Sequence, residues 1–139
     1  MNHILEVVRW HDISCGHRVY GHESKCQHLH GHNYRIHFTC RAELDDLGRV
    51  IDFGIIKEKL CKWLEENWDH KFLIYHKDPL SGKLFELDPE GIYFMPSNPT
   101  AENMAIFLME AGDKILGNPS VHLVKVKVEE TAKCAAVCM

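Results

Sequence analysis

Three histidines and a cysteine within sixteen residues set the chemistry of this chain. His30 and His32 are separated only by Gly31, with Cys26 four residues before the first and His17 upstream. On a β-strand, residues two apart point to the same face. Two imidazoles would therefore converge on one point, and a third from His17 would complete a three-nitrogen metal site. Neutral imidazoles suit zinc, whereas magnesium and calcium prefer oxygen ligands. A structural zinc site usually takes four protein ligands, and a catalytic one keeps a position open for water or substrate. Cys26 reads in two ways: as a fourth ligand closing the site, or as a thiolate beside it. Lys25 and a nearby dication would both favour the thiolate.

Two further acids and a histidine extend the constellation. Asp69-His70 follows a helical pattern directly, and an adjacent acid–imidazole pair can orient and transfer a proton. Glu130 ends the row Val124, Val126, Val128 at strand spacing. A carboxylate closing an apolar row is costly unless something pairs with it. It marks either a bulged strand end or an acid that anchors a ligand. Eleven histidines are present in all, so His22, His28 and His37 are lesser candidates, and His37 lies on the strand face opposite His32.

The elements that must position these groups fit one domain spanning residues 1–139. A chain of 139 residues, 45% hydrophobic and 26% charged, has globular proportions and is long enough for one core. A net charge of −4 argues against a sequence-independent grip on nucleic acid. No window approaches eighteen apolar residues, so no membrane span is expected. The first residues carry no basic segment followed by an apolar stretch, so no signal peptide is expected and the location reads as cytoplasmic. The six cysteines then read as reduced thiols, with Cys15, Cys40 and Cys61 packed as small hydrophobes. Cys134 and Cys138 could bridge or bind metal, although a lone pair at that spacing is a weak signal.

Residues 4–17, rich in Val, Ile, Trp and Cys, predict a strand, followed by a polar loop to Cys26. From 32 to 43, Tyr34, Ile36, Phe38 and Cys40 alternate with polar residues, which predicts a half-buried strand. Asp45 to Gly48 is a turn. Asp52 caps an amphipathic helix over 53–68, built on Ile56, Leu60, Trp63 and Leu64. Residues 74–99, with repeated Pro and Gly, predict a long loop. Asn98 or Thr100 then caps a second helix, ended by Gly117-Asn118-Pro119. A last strand covers 121–130, with Val124, Val126 and Val128 on one face. Helices grouped between strands predict an α+β sandwich: an antiparallel four-stranded sheet with two helices packed on one face.

Taken in order, these segments resemble the tunnelling-fold pterin synthases, the family of 6-pyruvoyltetrahydropterin synthase. The resemblance runs through Ile13-Ser14-Cys15-Gly16-His17-Arg18, Cys26-Gln27-His28-Leu29-His30-Gly31-His32-Asn33-Tyr34 and Gly48-Arg49-Val50-Ile51-Asp52-Phe53. It continues through Asp69-His70-Lys71-Phe72-Leu73, Asn98-Pro99-Thr100-Ala101-Glu102-Asn103 and Val128-Glu129-Glu130-Thr131, nearly the whole chain. The spacing Cys-x3-His-Gly-His is that of the carboxytetrahydropterin-forming branch, which serves 7-deazaguanine (queuosine) biosynthesis. Members forming the pyruvoyl product have a longer gap before His-Gly-His, and in folate-linked members a glutamate replaces the cysteine.

The resemblance implies a zinc-dependent carbon–carbon lyase acting on 7,8-dihydroneopterin triphosphate. Its products would be 6-carboxy-5,6,7,8-tetrahydropterin, acetaldehyde and triphosphate. It implies His17, His30 and His32 as zinc ligands and Cys26 as a proton shuttle rather than a ligand. Asp69 would orient His70, and Glu130 would grip the guanidine-like edge of the pterin. Thr100 and Glu102 would line the pterin pocket, with Arg18 and Lys25 near the triphosphate. It further implies sheets joined into a barrel, a homohexamer built as a dimer of trimers, with sites between subunits and Glu130 available to a neighbour. The chain departs from the family at Cys15-Gly16, where small residues such as alanine are common, and at the extra histidines His22 and His28.

Overall fold

The computed structural model describes residues 3–139. Six strands form one mixed sheet in the order β4-β3-β1-β2-β5-β6. The long pair β1 (Leu5–His17) and β2 (His30–Ala42) runs antiparallel in unbroken register, from Leu5 opposite Ala42 to His17 opposite His30. β5 (His122–Thr131) and β6 (Cys134–Cys138) extend it antiparallel on one side. β3 (Phe72–Tyr75) and β4 (Ile92–Met95) add in parallel on the other, β3 meeting β1 only at Gly16 and His17.

The strands read from the sequence are β1, β2 and β5; β6 completes an antiparallel set of four, and two short parallel strands are added. Both added strands lie at or inside the segment read as a loop, which also holds α3 (Ser81–Leu87). Phe-Leu-Ile-Tyr and Ile-Tyr-Phe-Met are unalternating four-residue runs, too short to carry a period. β6 also went unread, because Cys-Ala-Ala-Val-Cys has little strand preference. Its extended backbone separates Cys134 from Cys138 by about 13 Å, beyond the reach of an intrachain disulfide. All six cysteines are free, with Cys15, Cys40 and Cys61 buried.

One sheet face carries the core. Ile13 and Cys15 of β1 pack beside Tyr34, Ile36, Phe38 and Cys40 of β2. Above them run α1 (Phe53–Ile56), a π-helical stretch (Lys57–Cys61) and α2 (Lys62–Asn67) as one continuous helix 53–67. Asp52 caps it by accepting the Gly54 N–H at 2.8 Å, and Ile56, Leu60, Cys61 and Leu64 point inward. α4 (Ala101–Leu116) covers the β5–β6 side, with Thr100 as its cap and Gly117 in the left-handed region at φ 62°. A register shift between Thr39 and Cys40 sets Leu123 opposite Cys40. Leu123 therefore enters the core with Val126 and Val128, and Val124, expected there, is only half-buried. A bulge of this kind reverses the parity of everything beyond it.

The second face is polar: Asp12 pairs with Arg35, His37 with Glu129, and Arg35 lies over the Trp10 ring at 5.2 Å. Among the described residues no helix is long and apolar enough to cross a membrane.

Candidate metal centre and active site

The unbroken β1–β2 register builds the centre. His17 stands directly opposite His30, and His32 lies two residues further along the same face. Their ring centroids are 4.6, 5.2 and 5.0 Å apart. One nitrogen from each ring falls within 4.8 Å of the others, the one such ligand group among the described residues. Gly31 makes the strand approach tight rather than leaving room beside the metal. A Cβ there would sit 2.9 Å from the Cys15 carbonyl oxygen, on the face away from the imidazoles.

Backbone carbonyls fix the rings. His17 Nδ1 meets the Pro99 carbonyl at 2.5 Å, and His30 Nδ1 meets the His28 carbonyl at 2.8 Å. Each Nδ1 is the donor, which leaves Nε2 with a free lone pair, the arrangement that orients a metal-bound histidine. His17 is 2% exposed. Burial, with the neighbouring His30 and His32, lowers its pKa from 6.5 to about 4, against a smaller opposing effect of the Pro99 hydrogen bond. It is neutral at ordinary pH, the form that binds metal. Three imidazoles with one nitrogen each turned together fit a zinc ion with a position left open.

Around this triad the structure gathers Glu130 and Tyr34. Glu130 Oε1 lies 3.6 Å from His17 Nε2 and 3.7 Å from His32 Nε2. The β5–β6 register shifts between Glu129 and Thr131, at the position of Glu130, so the strand end is bulged there. Glu130 thus faces the imidazoles of its own chain. Tyr34, 1% exposed, sets its hydroxyl 3.2 Å from both ring nitrogens of His17. Burial first, then the charges of Cys15, Glu130 and Cys26, keep that phenol protonated. Cys26 sits in a single 3-10 turn (Lys25–Gln27), its carbonyl accepting the Val19 N–H at 2.9 Å, two residues past His17. Lys25 beside it is exposed.

Asp69 and His70 are not brought to this face. Asp69 Oδ1 accepts the Ser14 N–H at 2.8 Å, and Oδ2 lies 3.1 Å from His70 Nδ1. The His70 N–H returns to the Ser14 carbonyl at 2.6 Å, in a backbone with φ 61°. That left-handed conformation is uncommon outside glycine and is held here by these two bonds. The pair lines a cleft of about 590 Å³ with Asp12, Ser14, Asn33 and Glu129, whose side chains alternate with the triad's. The His70 ring is 84% exposed. Among the described residues no hydrogen bond links Cys26 to Asp69 or His70.

Arg18, expected beside the triphosphate, is also engaged elsewhere. Its Nε and Nη2 fork onto Asp78 at 2.6 and 2.7 Å, and its Nη1 donates to the Gln27 carbonyl at 3.1 Å. Thr100 serves as cap, accepting the Asn103 N–H at 3.1 Å, while Glu102 is exposed in the first turn of α4. Sequence reasoning missed Asp78, Tyr34 and the backbone of Pro99. It also missed Asn98, whose amide bonds both backbone groups of Tyr20, at 2.9 and 3.0 Å. Asn98, Pro99 and Tyr34 carried a signal, since each stands in a quoted motif, whereas Asp78 did not.

Residues 6–139 match the profile of the 6-pyruvoyl tetrahydropterin synthase family. The chain belongs to that family. A protein of Rickettsia typhi named 6-carboxy-5,6,7,8-tetrahydropterin synthase is 40% identical over 134 residues, covering 94% of this chain and 97% of its own. The structure of Caenorhabditis elegans 6-pyruvoyl tetrahydropterin synthase superposes with a TM-score of 0.71 at 28% identity, over 97% of this chain and 94% of that one. A Wolinella succinogenes structure of unassigned function superposes at 0.86, with 24% identity over 99% and 98%. The tunnelling fold is that of the pterin synthases, and family membership makes the chain an enzyme, a lyase of pterin chemistry.

Proposed function

We propose that the chain converts 7,8-dihydroneopterin triphosphate to 6-carboxy-5,6,7,8-tetrahydropterin, releasing acetaldehyde and triphosphate, in 7-deazaguanine (queuosine) biosynthesis. The observation that carries this reading is the convergence of His17, His30 and His32, with the Cys26 turn fastened two residues beyond His17. The name of the Rickettsia typhi relative supports the product.

His17, His30 and His32 would hold zinc. Bound there, zinc supplies Lewis acidity toward the hydroxyls of the substrate side chain. Cys26, outside the ligand set, removes and returns protons at the side-chain carbons. Glu130, beside the imidazoles, grips the guanidine-like edge of the pterin, since carboxylates pair with such forks. Thr100 and Glu102 line the pterin pocket. Lys25 remains the cation nearest Cys26 in sequence for the triphosphate. His70, oriented by Asp69 and turned outward, suits a neighbouring copy's centre. That requires an oligomer, a hexamer of two stacked trimers in this reading, whose barrel closure would also remove the open edges of the sheet.

Mass spectrometry of the products tests the assignment, with zinc measured on the same sample. Carboxytetrahydropterin with stoichiometric acetaldehyde is expected. The Caenorhabditis elegans similarity favours one alternative, the pyruvoyl product. Recovery of that product without acetaldehyde would replace the reading.

A further inference from the structure

Cys26 rides on three residues of 3-10 helix with no buried side chain, an insecure mount for a group that must meet substrate within a fraction of an ångström. Beyond the Val19 bond, the turn is held through Arg18. One guanidinium N–H donates to the Gln27 carbonyl at 3.1 Å, while the other two nitrogens grip Asp78 at 2.6 and 2.7 Å. The Asp78 side chain is 0% exposed and that of Arg18 15%. Asp78 is itself fixed: Oδ1 also accepts the Leu80 N–H at 2.8 Å, and its own N–H reaches the Tyr75 carbonyl at 2.9 Å. Tyr75 ends β3, which pairs with β1 at His17 and Leu73. A continuous path therefore leads from the strand beside the triad, through Asp78 and Arg18, to the turn carrying Cys26.

We infer that Asp78 is a positioning residue for Cys26, acting through Arg18, and that Arg18 is a bridge rather than a triphosphate contact. A buried ion pair is a poor device for stability alone, because desolvation offsets much of the attraction. The planar guanidinium adds geometry: two N–H groups held by a carboxylate aim a third at a chosen acceptor. A lysine could keep the charge but not the three-way fork.

The inference rests on Cys26 being the proton-moving group, so Cys26→Ala is measured alongside. Asp78→Asn and Arg18→Lys are compared with the parent as full-length, zinc-loaded protein. The readouts are kcat, KM, zinc content, melting temperature and the iodoacetamide alkylation rate at Cys26, followed by peptide mass spectrometry. The expected result is a kcat lower by about 10- to 100-fold, the scale of ångström misplacement. KM and zinc content should stay at parent values while Cys26 alkylation changes at least about threefold. A raised KM with parental kcat would return Arg18 to the triphosphate and overturn the inference. So would a lowered melting temperature with parental kcat and alkylation, which is what a purely structural ion pair would give. Should Asp78→Asn fail to fold, Arg18→Lys carries the test alone. Parental turnover in Cys26→Ala would overturn the functional reading itself. Loss there with parental Asp78→Asn overturns only the bridge.

Discussion

Acidifying the metal-free protein should unfold it through His17. The unfolded chain takes up a proton on this residue as pH falls through 6.5, whereas the folded chain resists until about 4. Stability is therefore unaffected by this group above pH 7, falls between 6.5 and 4, and levels off below. That gap, at about 1.4 kcal/mol per pH unit, amounts to about 3 kcal/mol. With only 2% of the residue exposed, solvent screening takes little from that figure. Urea denaturation across this range, with chelator present, measures it. His17→Asn supplies the reference, since its amide N–H can still donate to the Pro99 carbonyl but does not titrate. The parent should lose about 3 kcal/mol more than His17→Asn between pH 7 and pH 4. Zinc loaded beforehand should suppress the slope, because a metal-bound nitrogen cannot be protonated. Parallel slopes for parent and variant would refute the argument.

Three substitutions separate the roles of the centre. Cys26→Ala should abolish turnover by about 100-fold or more while elemental analysis still finds zinc, whereas metal loss would make the thiol a ligand. His30→Ala should lose zinc altogether, since two imidazoles remain, and inductively coupled plasma analysis checks it. Gly31→Ala drives a Cβ to 2.9 Å from the Cys15 carbonyl, between two ligands. It should cost about 1–3 kcal/mol in a urea titration and weaken zinc in chelator competition.

The triad was legible because strand parity is a local rule: Gly31 between two histidines, and Tyr34 to Cys40 continuing one face, specify which side each imbalance of polarity must take. His17 followed because β1 and β2 pair without interruption. What stayed hidden depends on contacts distant in sequence. β3 becomes a strand only by lying beside β1 in parallel and β4 only by lying beside β3, and Leu123 displaces Val124 through a register shift opposite Thr39 and Cys40. The Arg18–Asp78 fork joins residues 60 apart. A lone Arg after a metal-type histidine looked like a phosphate contact, since its buried acid leaves no local pattern.

The division of polar groups between the two sheet faces carries the strongest physical consequence for the whole enzyme. His17, His30, His32 and Glu130 share the face covered by helices, where burial keeps His17 neutral. Asp69 and His70 are bound to the backbone of Ser14 beside the other face, with the imidazole outside. In the proposed function a second copy of the chain supplies the set that one chain does not bring to the triad. A monomeric variant should therefore hold zinc yet turn over no substrate. Mixing His70→Ala with Cys26→Ala chains should restore part of the activity, because mixed assemblies contain sites with both residues intact. Activity in isolated monomers at the parental rate would mean that His70 takes no part, and the outward ring would need another explanation.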